Sequence, residues 1–373
     1  MKLAAIPLLS FLFGVALITP GKKVSVLSHS LSSSKLGSGS GSGPAKFDAK
    51  PCKDLQVPVP VHVNRRQALQ TAAAAINSAG LWLPASAAAA STSINPIATL
   101  SDGTAFPLAS FGLQIYNDES AYRLTLLALE VGYRNFFASV LAGNQRGFAK
   151  AVRDSGIPRD QLYICGSVVS NRGVGFEKAY KDTTSGWKRN IEAFAAGNIY
   201  YLDQIMLDYP GPDAPSIQGQ WASFQDMHAQ KLTKTLSLSN FSPTQLDCIL
   251  KPTTMDPKYN LAVKPVVNQL PYSVAYHPGD VVAQNKQRGI LVQAWAPLGG
   301  SLGGRFSSSL KGKCAQIGKP YNKSWAQVAL RWIVQTGASF TTQSQNKDHF
   351  QEDLNIFDFE LTAQEMQELS ALA

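Results

Sequence analysis

From Ser110 onward the chain alternates short apolar runs with amphipathic segments eight times, and this rhythm restricts its fold more than any other feature. The strand-like runs are "SFGLQI", "YRNFFAS", "LYICGSV", "DQIML", "KTLSLSNF", "KPVVNQL", "ILVQAWAPLG" and "SFTTQS". Between them lie stretches with apolar residues at helical spacing, such as "SAYRLTLLALEVG", which stops at Gly132. Ser242 and Pro243 open another, in the order that suits an N-cap and a first helical residue. Short, continuously apolar strands separated by helices are the pattern of a parallel sheet covered on both faces. Eight such units predict an α/β fold, a (β/α)8 TIM barrel. A doubly wound sheet would want a GxGxxG turn after an early strand, and the sequence has none there. Before the first barrel strand, "ATLSDGTAFPL" sets Asp102-Gly103 between two short runs, which predicts a β-hairpin capping one barrel mouth.

The 373-residue chain has a formal net charge of +9, which could suggest an anionic partner. Its distribution argues otherwise. Residues 1–90 hold nine of the 34 Lys and Arg but two of the 25 Asp and Glu, so that segment carries +7 and the remainder +2. The barrel therefore shows no nucleic-acid footprint. Cys52, Cys165, Cys248 and Cys314 are widely spaced, and His228, His277 and His349 are far apart, so neither a disulfide framework nor a metal site is expected.

In such barrels the chemistry gathers at the C-terminal strand ends. Those ends fall at Phe137, Ser167, Asp208, Ser239-Asn240, Gln269, Trp295 and Ser344. The stretch "LDQIMLDYPGPD" reads as a buried strand, Gln204 to Leu207, delivering the Asp208 carboxylate just before Tyr209 and Pro210. A carboxylate there either works on a ligand or accepts hydrogen bonds as a structural group, and both readings stand.

Nine motifs in register resemble the aldo-keto reductase family between Leu100 and Ala373: "DGTAFPL…FG", "GYR", "GN", "YLDQIMLDYP", "LSLSNF", "PVVNQ", "AWAPLG", "AQVALRWIVQTG" and "FDFELTAQEM". The family reduces carbonyls with NADPH through an Asp, a Tyr acid, a Lys that lowers the Tyr proton affinity, and a His that orients the carbonyl. Hydride arriving at a carbonyl carbon leaves charge on oxygen, which needs a proton or donors. The resemblance puts these four roles on Phe137, Ala142, Ser167 and Asp208, so none of the family residues is kept. It also implies a nicotinamide cradle of Ser239, Asn240 and Gln269, with Trp295 in place of a stacking Tyr. Leu298 and Gly299 match the pyrophosphate loop, where Ala296 replaces a usual Ser, and Glu352 matches an adenine contact. At the 2′-phosphate end stand Gln343, Ser344 and His349, two cations short of the family pattern, which weakens charge-assisted binding there. The resemblance thus implies a domain that takes NADP or NAD and a small carbonyl substrate with weak, altered or absent reduction, in which Asp208, Ser167, Tyr116 or Tyr209 polarises the carbonyl. The alternative is an inactive barrel that senses nucleotide or acts as a scaffold or assembly protein.

Three address-like segments precede the barrel, which is assigned to residues 91–373. Residues 1–21 place Lys2 before an apolar run from Leu3 to Thr19, interrupted by Pro7 and closed by Pro20, the shape of a secretory signal peptide. Residues 22–60 are basic and Ser/Gly-rich, a disordered linker or a transit peptide. Within residues 61–90, Arg65-Arg66 precede an alanine-rich run ending in Ala85-Ser86-Ala87, which resembles a twin-arginine signal. This order resembles the leader of a thylakoid-lumen protein in an alga whose plastid has extra membranes; the plastid stroma and secretion are the alternatives, and the mature form is not expected to span a membrane. If the twin-arginine reading holds, changing both Arg65 and Arg66 to Lys stalls the precursor outside the lumen, and normal lumenal processing of that variant in an import assay would refute it.

Overall fold

The computed structural model describes residues 95–252, 262–300 and 304–372. The three leader segments lie outside these residues.

The chain first forms a hairpin of β1 (Ile97–Thr99) and β2 (Ala105–Pro107), antiparallel with Thr99 opposite Ala105. Asp102 Oδ1 accepts from the Thr104 amide, and Gly103 takes φ +85°, the conformation for which the Asp-Gly pair was read as a turn. Then follow β3 (Ala109–Gly112), α1 (Asp118–Val131), β4 (Asn135–Phe137), α2 (Gln145–Ser155), β5 (Tyr163–Val169), α3 (Phe176–Phe194), β6 (Leu202–Asp208), α4 (Ala214–Ala229), β7 (Thr233–Ser239) and α5 (Pro243–Leu250). The second half holds β8 (Val267–Pro271), α6 (Val281–Lys286), β9 (Leu291–Trp295), α7 (Ser308–Gly318), α8 (Trp325–Gln335), β10 (Ser339–Thr342), α9 (Lys347–Leu354) and α10 (Ala363–Ser370). Strands β3 to β10 pair in parallel and close on themselves, with β10 joined to β3 through Phe340 and Ala109. This is the (β/α)8 barrel that the alternation predicted.

Helix ends follow local chemistry. Ser242 and Gln245 form a reciprocal capping box with Pro243 at the first position of α5, and Ser324 with Gln327 does the same for α8. Gly132 ends α1 in the left-handed conformation, φ +116°. Helix α7 was not anticipated. Its apolar contacts come from only Leu310, Cys314 and Ile317 amid serines, lysines and glycines, a stripe too thin to stand out in sequence. Two glycines set the spacing of the helical ring. A Cβ on Gly147 of α2 would overlap the Asp118 carbonyl at the start of α1, and one on Gly219 of α4 would overlap the Phe176 carbonyl at the start of α3.

Successive strand residues alternate between the helix layer and the barrel interior. Along β6, Gln204, Met206 and Asp208 share the interior face. Gln204 meets Tyr163 and Ser237 low in the barrel, and Met206 packs with Phe137 and Cys165 in the middle. The hairpin closes the low end. Leu100 and Phe106 pack on Tyr163, Val266 and Val267, with the Phe106 and Tyr163 rings edge to face at 5.0 Å. The opposite, C-terminal mouth stays open for a ligand. Phe106→Ala should therefore cost about 3–5 kcal/mol in chemical denaturation, while ligand affinity at the far mouth, measured on the folded fraction, stays unchanged.

Candidate functional site

At the C-terminal mouth lies a cavity of about 430 Å³. Asp208, Ser239, Asn240, Gln269, Trp295 and Leu298 line it, so six positions anticipated from sequence converge here. Strand β6 runs to Asp208 itself, which makes the carboxylate the last residue of the strand. Beyond the strand ends the backbone turns sharply: Tyr209 after β6, Asn240 after β7 and Ala296 after β9 have φ of +68°, +67° and +50°. Asn tolerates this conformation, whereas Tyr and Ala each sit there at a cost of roughly 1–2 kcal/mol. All three residues line the cavity.

The polar wall is internally bonded. Asn240 donates its amide to Asp208 Oδ1 at 3.2 Å and to Ser239 Oγ at 2.9 Å, while its own Oδ1 accepts from the Trp295 indole at 3.2 Å. Gln269 donates to Gln293 Oε1 at 2.8 Å. Asp208 is buried, and burial pushes its carboxyl up to about 6 against the opposing pull of the Ser239 hydroxyl and the Asn240 amide. Among the described residues it is the one charged side chain in the cavity wall.

Phe137 also lines the cavity and packs beneath it with Cys165 and Met206. Ser167 does not line it: its hydroxyl accepts the Val140 amide at 3.2 Å, so the loop after β4 covers it completely. Ala142 lies half-buried in that loop, outside the lining, and Tyr116 stacks on Phe111 in the core. Of the side chains expected to polarise a carbonyl, the structure brings Asp208 and Tyr209 to the cavity.

At the far rim Gln343 donates to Gln114 at 2.7 Å. Ser344 and Glu352 are not part of the lining. Ser344 bonds to His349 Nδ1 and organises the turn into α9, and Glu352 accepts from the Ser324 hydroxyl at the start of α8. The sequence reading missed Gln114 and Thr341. Thr341 lines the cavity, and its Oγ1 is buried against Gly112 with no hydrogen-bond partner. Two-residue alternation along "SFTTQS" was the available signal for it. Among the described residues, no three His, Cys, Asp or Glu side chains converge as metal ligands, and no helix is long and apolar enough to cross a membrane.

Fold and cavity together define a (β/α)8-barrel protein with a polar site at its C-terminal mouth. Residues 108–373 match the profile of the Aldo/keto reductase family, and the chain belongs to that family. It is 30% identical over 246 residues to a 9,11-endoperoxide prostaglandin H2 reductase of Trypanosoma cruzi, spanning 66% of this chain and 80% of the relative. It is 26% identical to a glyoxal reductase of Bacillus subtilis, over 75% of this chain and 94% of the relative. Solved structures with the same fold include an aldo/keto reductase from Brucella melitensis, with TM-score 0.65, 23% identity and coverage of 74% of this chain and 99% of that one. A Bombyx mori aldo-keto reductase in complex with NADP also superposes, with TM-score 0.65, 20% identity and coverage of 74% and 92%.

The position of Asp208 has a measurable consequence. Its folded-state value lies above the ordinary carboxylate value of 3.8, so its favourable contribution is complete below about pH 4 and is lost as pH rises through about 6. Asp208→Asn removes that loss. The variant should be more stable than the parent by about 2–3 kcal/mol above neutrality, and denaturant melts across pH should show the gap closing in acid.

Proposed function

We propose that this chain is a nicotinamide-nucleotide-binding oxidoreductase barrel in which carbonyl reduction is weak and altered, with Asp208 as its proton-bearing group. The hydrogen-bonded unit of Asp208, Asn240 and Trp295 carries this reading, because it ties the one charged group of the cavity to the wall that resembles a nicotinamide cradle.

The wall has unused capacity that fits a carboxamide. Both amide hydrogens of Asn240 are committed, yet its Oδ1 keeps a second lone pair. Gln269 has given one amide hydrogen to Gln293, leaving the second and an acceptor oxygen. A carboxamide needs acceptors for its NH₂ and a donor for its oxygen, which this remainder supplies. Trp295 offers an aromatic face beside it. When bound, the nicotinamide supplies or accepts a hydride.

The chain's own contribution is the proton. Protonated Asp208 can hand its proton to a carbonyl oxygen in the cavity; as a carboxylate it can only accept one. Reduction is therefore favoured below about pH 6. The other three family positions offer no further relay: Phe137 joins an apolar cluster, Ser167 is sealed under its loop, and Ala142 lacks a polar side chain. Replacing both charged partners of a buried pair is tolerable where removing one is costly, so this is a settled apolar arrangement. Loss of general acid–base help lowers the rate by about 10²–10⁴. The same cluster favours a second reading, a barrel that binds nucleotide without turnover and serves as a sensor or scaffold. The leader supports placement in the thylakoid lumen, with the stroma or secretion as alternatives.

The lack of a Lys or Arg at positions 343, 344 and 349, held by Gln343, Ser344 and His349, supports binding of NADP and NAD with little discrimination. Titration of the purified protein with both nucleotides should give comparable affinities, and Gln343→Lys should shift preference toward NADP by about 1.5–3 kcal/mol. With NADPH and a panel of aldehydes and quinones, turnover should be slow at neutral pH and rise in mild acid. Tight native selectivity for NADP, or rapid aldehyde reduction at neutral pH, would overturn the reading.

A further inference from the structure

We infer that Asp208 makes this site discriminate between the redox states of its nucleotide, holding the oxidised form more tightly than the reduced form. The inference rests on the nicotinamide reading given above.

Asp208 is a buried carboxylate on the cavity wall, and among the described residues no cation lines that wall beside it. Its hydrogen-bond partners, Ser239 and Asn240, are neutral. Gln269, Trp295 and Gln343 in the same wall are neutral too. The titratable groups that interact with it are Cys165 on β5 and Tyr209 next in the chain, and neither brings a positive charge. A desolvated anion in this position is relieved by a ligand that supplies a cation.

The two redox forms of the nucleotide differ in that respect. The oxidised ring is a pyridinium with one positive charge, and the dihydro ring is neutral. The ring carries its carboxamide directly, so a carboxamide held at Asn240 brings the ring beside the residue that Asn240 binds. The lone carboxylate then attracts the oxidised ring and has no charge to meet in the reduced one. An opposite charge within about 4–6 Å moves a carboxyl's proton affinity by 1–3 pH units, so the affinities should separate by about 10–1,000-fold. Binding is also coupled to a proton. Asp208 titrates near 6 in the nucleotide-free protein, so the oxidised form, which demands the carboxylate, should bind better as pH rises through that value and release a proton below it.

Calorimetric titrations of the full purified protein and its Asp208→Asn variant with NADP⁺, NADPH, NAD⁺ and NADH, at about pH 8 and about pH 5.5, test this. At the higher pH the parent should prefer each oxidised form by about tenfold or more relative to the variant. At the lower pH the parent's preference should shrink toward that of the variant. Proton release on NAD⁺ binding near pH 6, read from buffers of different ionisation heat, should vanish in the variant. The pH series on the parent alone keeps the test valid should the variant misfold. If nucleotides bind but the oxidised-to-reduced ratio is the same in both proteins, or flat with pH in the parent, the inference fails and the nucleotide reading survives. If neither protein binds any of the four, the nucleotide reading fails and takes the inference with it.

Discussion

Closure of a parallel sheet is the constraint on which the rest of this structure depends. Eight parallel strands joined edge to edge leave no open sheet edge, and all their C-terminal ends emerge at one mouth. The interior below that mouth is filled by side chains: Tyr163 and Gln204 low down, Phe137, Cys165 and Met206 in the middle. The hairpin seals the other end with Leu100 and Phe106. The strand ends therefore bring Asp208, Asn240, Gln269 and Trp295, scattered over 88 positions of sequence, into one cavity.

Within that cavity the hydrogen bonds are arranged around a charge that burial disfavours. Asn240 is the pivot, since it donates to Asp208 and Ser239 and accepts from Trp295. Its left-handed backbone places the amide where all three can reach it. A second buried carboxyl behaves similarly at the outer layer. Asp353 on α9 is pushed up to about 7 by burial and bonds to Thr342 and Tyr133, and Thr342 is itself part of the cavity wall. The mouth and the helix beside it are thus joined by polar contacts as well as by apolar packing.

The barrel was legible because its signal is repeated. Eight strand–helix units reinforce one another, and caps such as Ser242-Pro243 and the stop at Gly132 announce themselves locally. Strand-end position likewise revealed Asp208, Gln269 and Trp295. What escaped the sequence depends on neighbours far along the chain. Ser167 reads as a strand-end group equal to the others, yet the Val140 loop covers it. Ser344 and Glu352 sit near strand and helix ends but spend their polar atoms on His349 and Ser324, outside the cavity. Gln114 matters only because Gln343 is across from it, more than two hundred residues away. Helix α7 was hidden for a different reason, a burial stripe of three residues among serines, lysines and glycines.

The left-handed backbone at Tyr209 and Ala296 has a further consequence. A glycine at either position would relieve the strain and widen the range of the turn; with a Cβ present, the left-handed shape persists because the surrounding packing holds it. Much of the ordering of the rim is therefore completed during folding, before any ligand arrives. A guest molecule then loses its own freedom on entry without also having to freeze the walls. Its association rate should reflect diffusion through the opening, with no slow rearrangement step in the kinetics.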